Sequence, residues 1–100
     1  MQSAIILDSF STTVGKVFII DFLNSGFSPR QGGVLVHNGI SYNIKPYGIG
    51  KHDYFEKGIL YPNKVWSCQV EHLVDKQNNV DLLPGDKVII IPSTGTFSRH

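Results

Sequence analysis

Val34-Leu35-Val36-His37-Asn38-Gly39-Ile40-Ser41-Tyr42-Asn43-Ile44 is the stretch on which the fold turns. Two runs rich in β-branched and aromatic residues flank an Asn-Gly pair. That pair is the preferred centre of a two-residue type I′ hairpin loop, because both loop positions need positive φ. So short a loop leaves no choice of register. His37 pairs with Ile40, Val36 with Ser41, Leu35 with Tyr42 and Val34 with Asn43. Alternation then puts Leu35, Ile40, Tyr42 and Ile44 on one face, which we expect to be buried.

Working outward, a Pro-turn-Gly step launches an apolar strand twice: Ser28-Pro29-Arg30-Gln31-Gly32-Gly33-Val34 and Leu83-Pro84-Gly85-Asp86-Lys87-Val88. Proline presets φ for the turn and glycine accepts the left-handed position. Ala4–Leu7 is fit for a short strand. Val14–Phe22 has Val17 and Ile19 on one face and Phe18, Ile20 and Phe22 on the other, which predicts burial on two sides. Lys64–Val74 reads as one half-buried strand, with Trp66, Cys68, Val70, His72 and Val74 inward and Val65, Ser67, Gln69, Glu71 and Leu73 outward. Pro92 ends a strand over Val88–Ile91, and 92–100 reads as a loose tail. Between Pro46 and Asn63, four glycine or proline breaks (Gly48, Gly50, Gly58, Pro62) predict one long irregular loop, with at most a helical turn at Phe55-Glu56-Lys57. A loop of that length is often functional. No segment carries a long helical period. The expectation is all-β: a single small antiparallel β barrel of about six or seven strands.

Composition bounds the function. One hundred residues make one domain, and 41% apolar with 17% charged residues is the composition of a folded one. The net charge of +1 creates no bulk field for polyanions. Cys68 is the sole cysteine, so no intramolecular disulfide forms. The first residues lack the basic flank and long apolar run of a signal peptide, and no apolar run is long enough to span a bilayer. A soluble cytoplasmic protein is the expectation.

The motifs of chemistry are missing. Gly15-Lys16 and Gly50-Lys51 lack the preceding glycine and following Ser/Thr of a phosphate-binding loop, and no Gly-x-Ser-x-Gly elbow occurs. Among His37, His52, His72, His100 and Cys68, only Cys68 and His72 have ligand-like spacing. On a strand they stand roughly 13 Å apart, too far to share an ion. Cys68 reads as a core residue, and Asp53 and Glu56 as solvated carboxylates between lysines. We therefore expect no catalysis, no metal and no cofactor. The residues left for binding are Arg30 and Gln31 in the first Pro turn, and Tyr47, Lys51, His52 and Tyr54 in the long loop. Basic and aromatic groups together also suit a nucleic acid, which stacks on rings and pairs with cations.

Three segments carry a family resemblance. Gly15-Lys16-Val17-Phe18-Ile19-Ile20, the interval from Gly26 to Gly32-Gly33-Val34-Leu35-Val36, and Leu83-Pro84-Gly85-Asp86-Lys87-Val88 follow in the order of signals in the second-domain β barrel of translational GTPases, the elongation factor Tu type. The resemblance spans about residues 7–91. It departs at Gly33, where the family has Asp, and at Val14-Gly15, where the family has Arg-Gly. It implies the barrel and its use as a docking module, and no GTP chemistry. The expectation is a non-catalytic binding module for a protein partner. The alternative is a structural subunit of a homo-oligomer or phage-type assembly, whose edge strands pair between copies.

Overall fold

The computed structural model describes residues 2–13, 15–23, 26–45, 48–74 and 80–93. Eight strands form one antiparallel sheet: β1 (Gln2–Thr12), β2 (Gly15–Phe22), β3 (Gly33–His37), β4 (Ile40–Ile44), β5 (Gly50–Glu56), β6 (Ile59–Cys68), β7 (Val70–His72) and β8 (Lys87–Pro92). Their order is β5-β6-β2-β1-β8-β3-β4-β7, and no α-helix occurs among the described residues. The chain is all-β as expected, with eight strands where six or seven were anticipated.

The Asn38-Gly39 hairpin has the expected register at all four pairs, with φ of 52° and 79° at the loop. Leu35, Tyr42 and Ile44 are buried as expected. Ile40 is not. It adjoins the loop, where the hairpin runs past the layer that packs on it, and it is 46% exposed. One core joins Ala4 and Ile6 of β1, Phe18, Ile20 and Phe22 of β2, Leu35 of β3, Tyr42 and Ile44 of β4, Trp66 and Cys68 of β6, Val70 of β7, and Val88 and Ile90 of β8. Each of the large aliphatic and phenylalanine side chains among them, fully buried, contributes roughly 1.5–3 kcal/mol. Only the inner face of β2 is fully buried, since Val17 and Ile19 on its other face are half-covered.

Both Pro-Gly steps lock strands in place. Leu83–Asp86 closes a turn with Gly85 at φ 94°, and Asp86 N–H donates to Leu83 O at 3.0 Å. The turn then bonds into β1, with Gly85 N–H donating to Ile6 O at 2.7 Å and Ile6 N–H to Asp86 O at 2.9 Å. There β1 shifts register against β2, between Ile6 and Asp8. Asp86 Oδ2 accepts from Leu83 N–H at 2.8 Å and lies 3.5 Å from His37 Nε2. The first step is a single 3₁₀ turn, Pro29–Gln31, with Ser28 Oγ accepting from Arg30 N–H at 3.3 Å and Pro29 buried beneath it.

Two segments differ from the expectation. Lys64–Val74 is not one strand: the ladder breaks at Gln69 between β6 and β7. Val65 and Gln69, expected outward, are buried, and Val74, expected inward, is 94% exposed. Gln69 sits at the crossing from β6 to β7, its carbonyl accepting from Lys45 N–H at 3.0 Å, whereas Val74 lies beyond the end of β7. The long irregular loop is, from Gly50 onward, a hairpin of β5 and β6 around Lys57-Gly58, with no helical turn at Phe55–Lys57. Pro46 and Tyr47 lie outside the described residues, as does 94–100, which includes most of the expected tail and His100.

Candidate functional site

Lys57 and Gly58 adopt φ of 53° and 78°, the two positive values of a type I′ loop, and pair Glu56 with Ile59. From that loop the pairs run Phe55–Leu60 and Tyr54–Tyr61, then His52–Val65, Lys51–Trp66 and Gly50–Ser67. Between Tyr54 and His52, β6 spends more residues than β5. Tyr61 to Val65 spans two extra positions, which hold Pro62 and the left-handed Asn63 (φ 50°). Asp53 Oδ1 accepts from Asn63 N–H at 2.9 Å and pins this bulge. Pro62 is tolerated because a bulge removes the ladder bond its nitrogen could not donate.

The bulge divides the hairpin. Below it, β6 also pairs with β2 and belongs to the body of the sheet. Above it, Tyr54–Tyr61 is a two-stranded arm that pairs with nothing else among the described residues. The arm is apolar on both faces. Phe55 is 67% exposed, Leu60 56% and Ile59 54%, and Tyr61 is also exposed. Soluble two-stranded ribbons are normally built with threonine and charge at such positions, so this concentration of apolar groups needs an explanation.

At the arm's root lies a basic and aromatic notch. Trp66, the sole tryptophan, is buried. Lys51 Nζ stands 5.0 Å from its ring centroid and Arg30 Cζ 5.1 Å, both within cation–π range. Beside them a cleft of about 190 Å³ is lined by Asp21, Phe22, Phe27, Lys51, Lys64 and Trp66, among others. Lys64 Nζ lies 3.5 Å from Asp21 Oδ2 at the edge of this cleft. His52, also at the root, places Nε2 2.8 Å from Ser67 Oγ.

Of the binding residues expected from sequence, Arg30 and Lys51 come together on Trp66, some twenty positions apart in the chain. His52 is on the same strand as Lys51, and Tyr54 begins the arm. Gln31 is exposed at the end of the 3₁₀ turn, and nothing in the structure joins it to the notch. Tyr47 lies outside the described residues. Sequence reasoning missed Trp66 as the meeting point, and missed Phe55, Ile59, Leu60 and Tyr61 altogether. The available signal was Lys-Gly between aromatic and β-branched runs. Cys68 is fully buried, and burial pushes its thiol up to about 12, which makes it inert. Among the described residues, no three His, Cys, Asp or Glu side chains gather to hold a metal, and no helix is long and apolar enough to cross a membrane. No family model, curated protein or solved structure matches this chain.

Proposed function

We propose that this chain is a non-catalytic interaction module, a six-stranded barrel with a two-stranded arm, and that it docks onto a protein partner through the arm. Two observations support closure of the barrel. Gln69 alone separates β6, bonded to β2, from β7, bonded to β4, so one run of chain borders both ends of the order β2-β1-β8-β3-β4. Residues from both ends also share a single core: Phe18 and Ile20 with Tyr42 and Ile44. This is the architecture implied by the likeness to the translation-factor barrel, and closure leaves no free edge within the ring.

The docking role rests chiefly on one observation: the apolar exposure of Phe55, Ile59 and Leu60 on an element with no share in the core. Arg30, Lys51 and His52 at the root favour a partner with acidic groups beside its apolar contact surface. The test compares proteins captured by the full chain with those captured by the folded Phe55→Ser/Leu60→Ser variant and by Lys51→Ala/His52→Ala. Both variants are expected to lose the captured set while staying folded, the Lys51→Ala/His52→Ala midpoint lowered only by the loss of the Lys51–Trp66 and His52–Ser67 contacts. Capture that is unchanged by both would overturn the assignment.

A further inference from the structure

Resting on the arm as the docking element, we infer that its partner is a second copy of this chain, joined by antiparallel pairing of β5 with β5 about a two-fold axis at Tyr54. β5 stands at the end of the strand order, so among the described residues nothing pairs with its outer edge. Natural edge strands are blunted by proline, bulges, extreme shortness or charged side chains, lysine above all. β5 is seven residues long, contains no proline, and the extra residues of the bulge beside it belong to β6, but it carries Lys51, Asp53 and Glu56. Self-pairing therefore requires a register that accommodates those charges.

The register follows from geometry and charge. In an antiparallel ladder, directly opposite residues are of one kind, both bonded or both non-bonded, and the kind alternates along a strand. A strand pairing with itself about a two-fold axis must therefore place the axis on a residue. Centring on Asp53 sets two carboxylates face to face. Centring on His52 drives the Lys57-Gly58 loop past Gly50 and into the partner's body. Centring on Phe55 leaves only a stub of strand paired. Centring on Tyr54 sets Tyr54 opposite its own copy, Asp53 opposite Phe55, and His52 opposite Glu56, twice over, with Lys51 and Lys57 facing each other only beyond the paired strand residues, where both are exposed. His52 Nε2 lies 2.8 Å from Ser67 Oγ, and in the tautomer in which Nε2 accepts from that hydroxyl, Nδ1–H is left to donate to the partner's Glu56. Because Tyr54 pairs with Tyr61 inside each arm, the two arms together carry a row of four tyrosines across a four-stranded ribbon. Three or more strands with an apolar face are what a free ribbon needs for stability. The overlap is short, so the dimer is a weak one, with Kd on the order of 10 µM.

Cysteine cross-linking tests the register directly, because Cys68 is buried and opposite strand positions lie within disulfide reach. Tyr54→Cys is expected to form a covalent dimer under mild oxidation. Asp53→Cys and Phe55→Cys are each expected to stay monomeric alone and to cross-link when mixed. Circular dichroism and Trp66 fluorescence verify that each variant is folded. His52→Glu places like charges opposite each other twice, raising Kd about tenfold by sedimentation, and the swap His52→Glu/Glu56→His restores it. A Tyr54→Cys protein that stays monomeric, or cross-links no faster than Phe55→Cys, overturns the self-pairing. If arm-dependent capture of another protein persists in that case, docking through the arm stands and only its partner was misassigned.

Discussion

Excising the arm separates an appendage from a structural cover. The perturbation replaces Tyr54–Tyr61 with an Asn-Gly turn, keeping Asp53, Pro62 and Asn63. None of the removed residues belongs to the core, and only Tyr54 among them is less than exposed. A two-stranded hairpin is marginal on its own: the entropy of ordering it, roughly 1–2 kcal/mol per residue, nearly cancels its contacts. The excised protein should therefore keep its unfolding free energy to within about 1 kcal/mol, a shift of at most about 4–8 °C in Tm for a domain of this size. Had these residues sealed the core, exposing even one large side chain would cost about 2–5 kcal/mol. Urea unfolding followed by the fluorescence of Trp66 reads the difference, with a slightly smaller m-value because less surface is exposed on unfolding. A loss above about 3 kcal/mol would refute the division of the chain into body and arm.

Three further outcomes are expected. Leu35→Ala should cost about 2–5 kcal/mol and Ile40→Ala less than about 1, because hairpin partners on one face differ from 0% to 46% in exposure; equal losses in urea unfolding would contradict the packing. Cys68 has its thiol raised from 9.0 to about 12 by burial, so the folded state resists ionisation more than the unfolded one. Its contribution is complete below pH 9 and falls away between pH 9 and 12, by about 1.4 kcal/mol per unit. The stability advantage over Cys68→Ala should accordingly shrink across that range, and a constant difference would argue against burial of the thiol. Lys51→Ala should cost about 0.5–1 kcal/mol in the wild-type background and almost nothing beside Trp66→Leu, since the coupling lies in the ring; additive losses would show that Lys51 and Trp66 do not interact.

The body of the fold was legible because its signals are local. Asn38-Gly39 determines a register, alternation picks the buried partners Leu35 and Tyr42, and Pro84-Gly85 marks a turn that then bonds to β1. The arm was not legible for a physical reason. Strand reading relies on one face being apolar and the other polar, and an arm that packs on nothing has no such contrast. Pro62 and the glycines then weighed towards a loop, although the bulge at Pro62-Asn63 and the Lys57-Gly58 turn are what allow two strands there. Val74 and Ile40 failed for a related reason: periodicity continues past the point where the covering layer ends. For the site, Arg30 and Lys51 could be named as basic groups near turns, but their convergence on Trp66 is tertiary. It depends on β5 lying against β6 and on the 3₁₀ turn closing over the same ring.

Amide hydrogen exchange of the full chain at dilute and concentrated protein tests the pairing of arms most directly, because only an edge that gains a strand gains hydrogen-bonded amides. The account predicts that, on raising the concentration from well below to well above 10 µM, alternate amides of His52–Glu56 slow while those of β1, β3 and β8 stay unchanged. Exchange across β5 that is the same at both concentrations, or slowing confined to the outer face of β3 and β8, would contradict it.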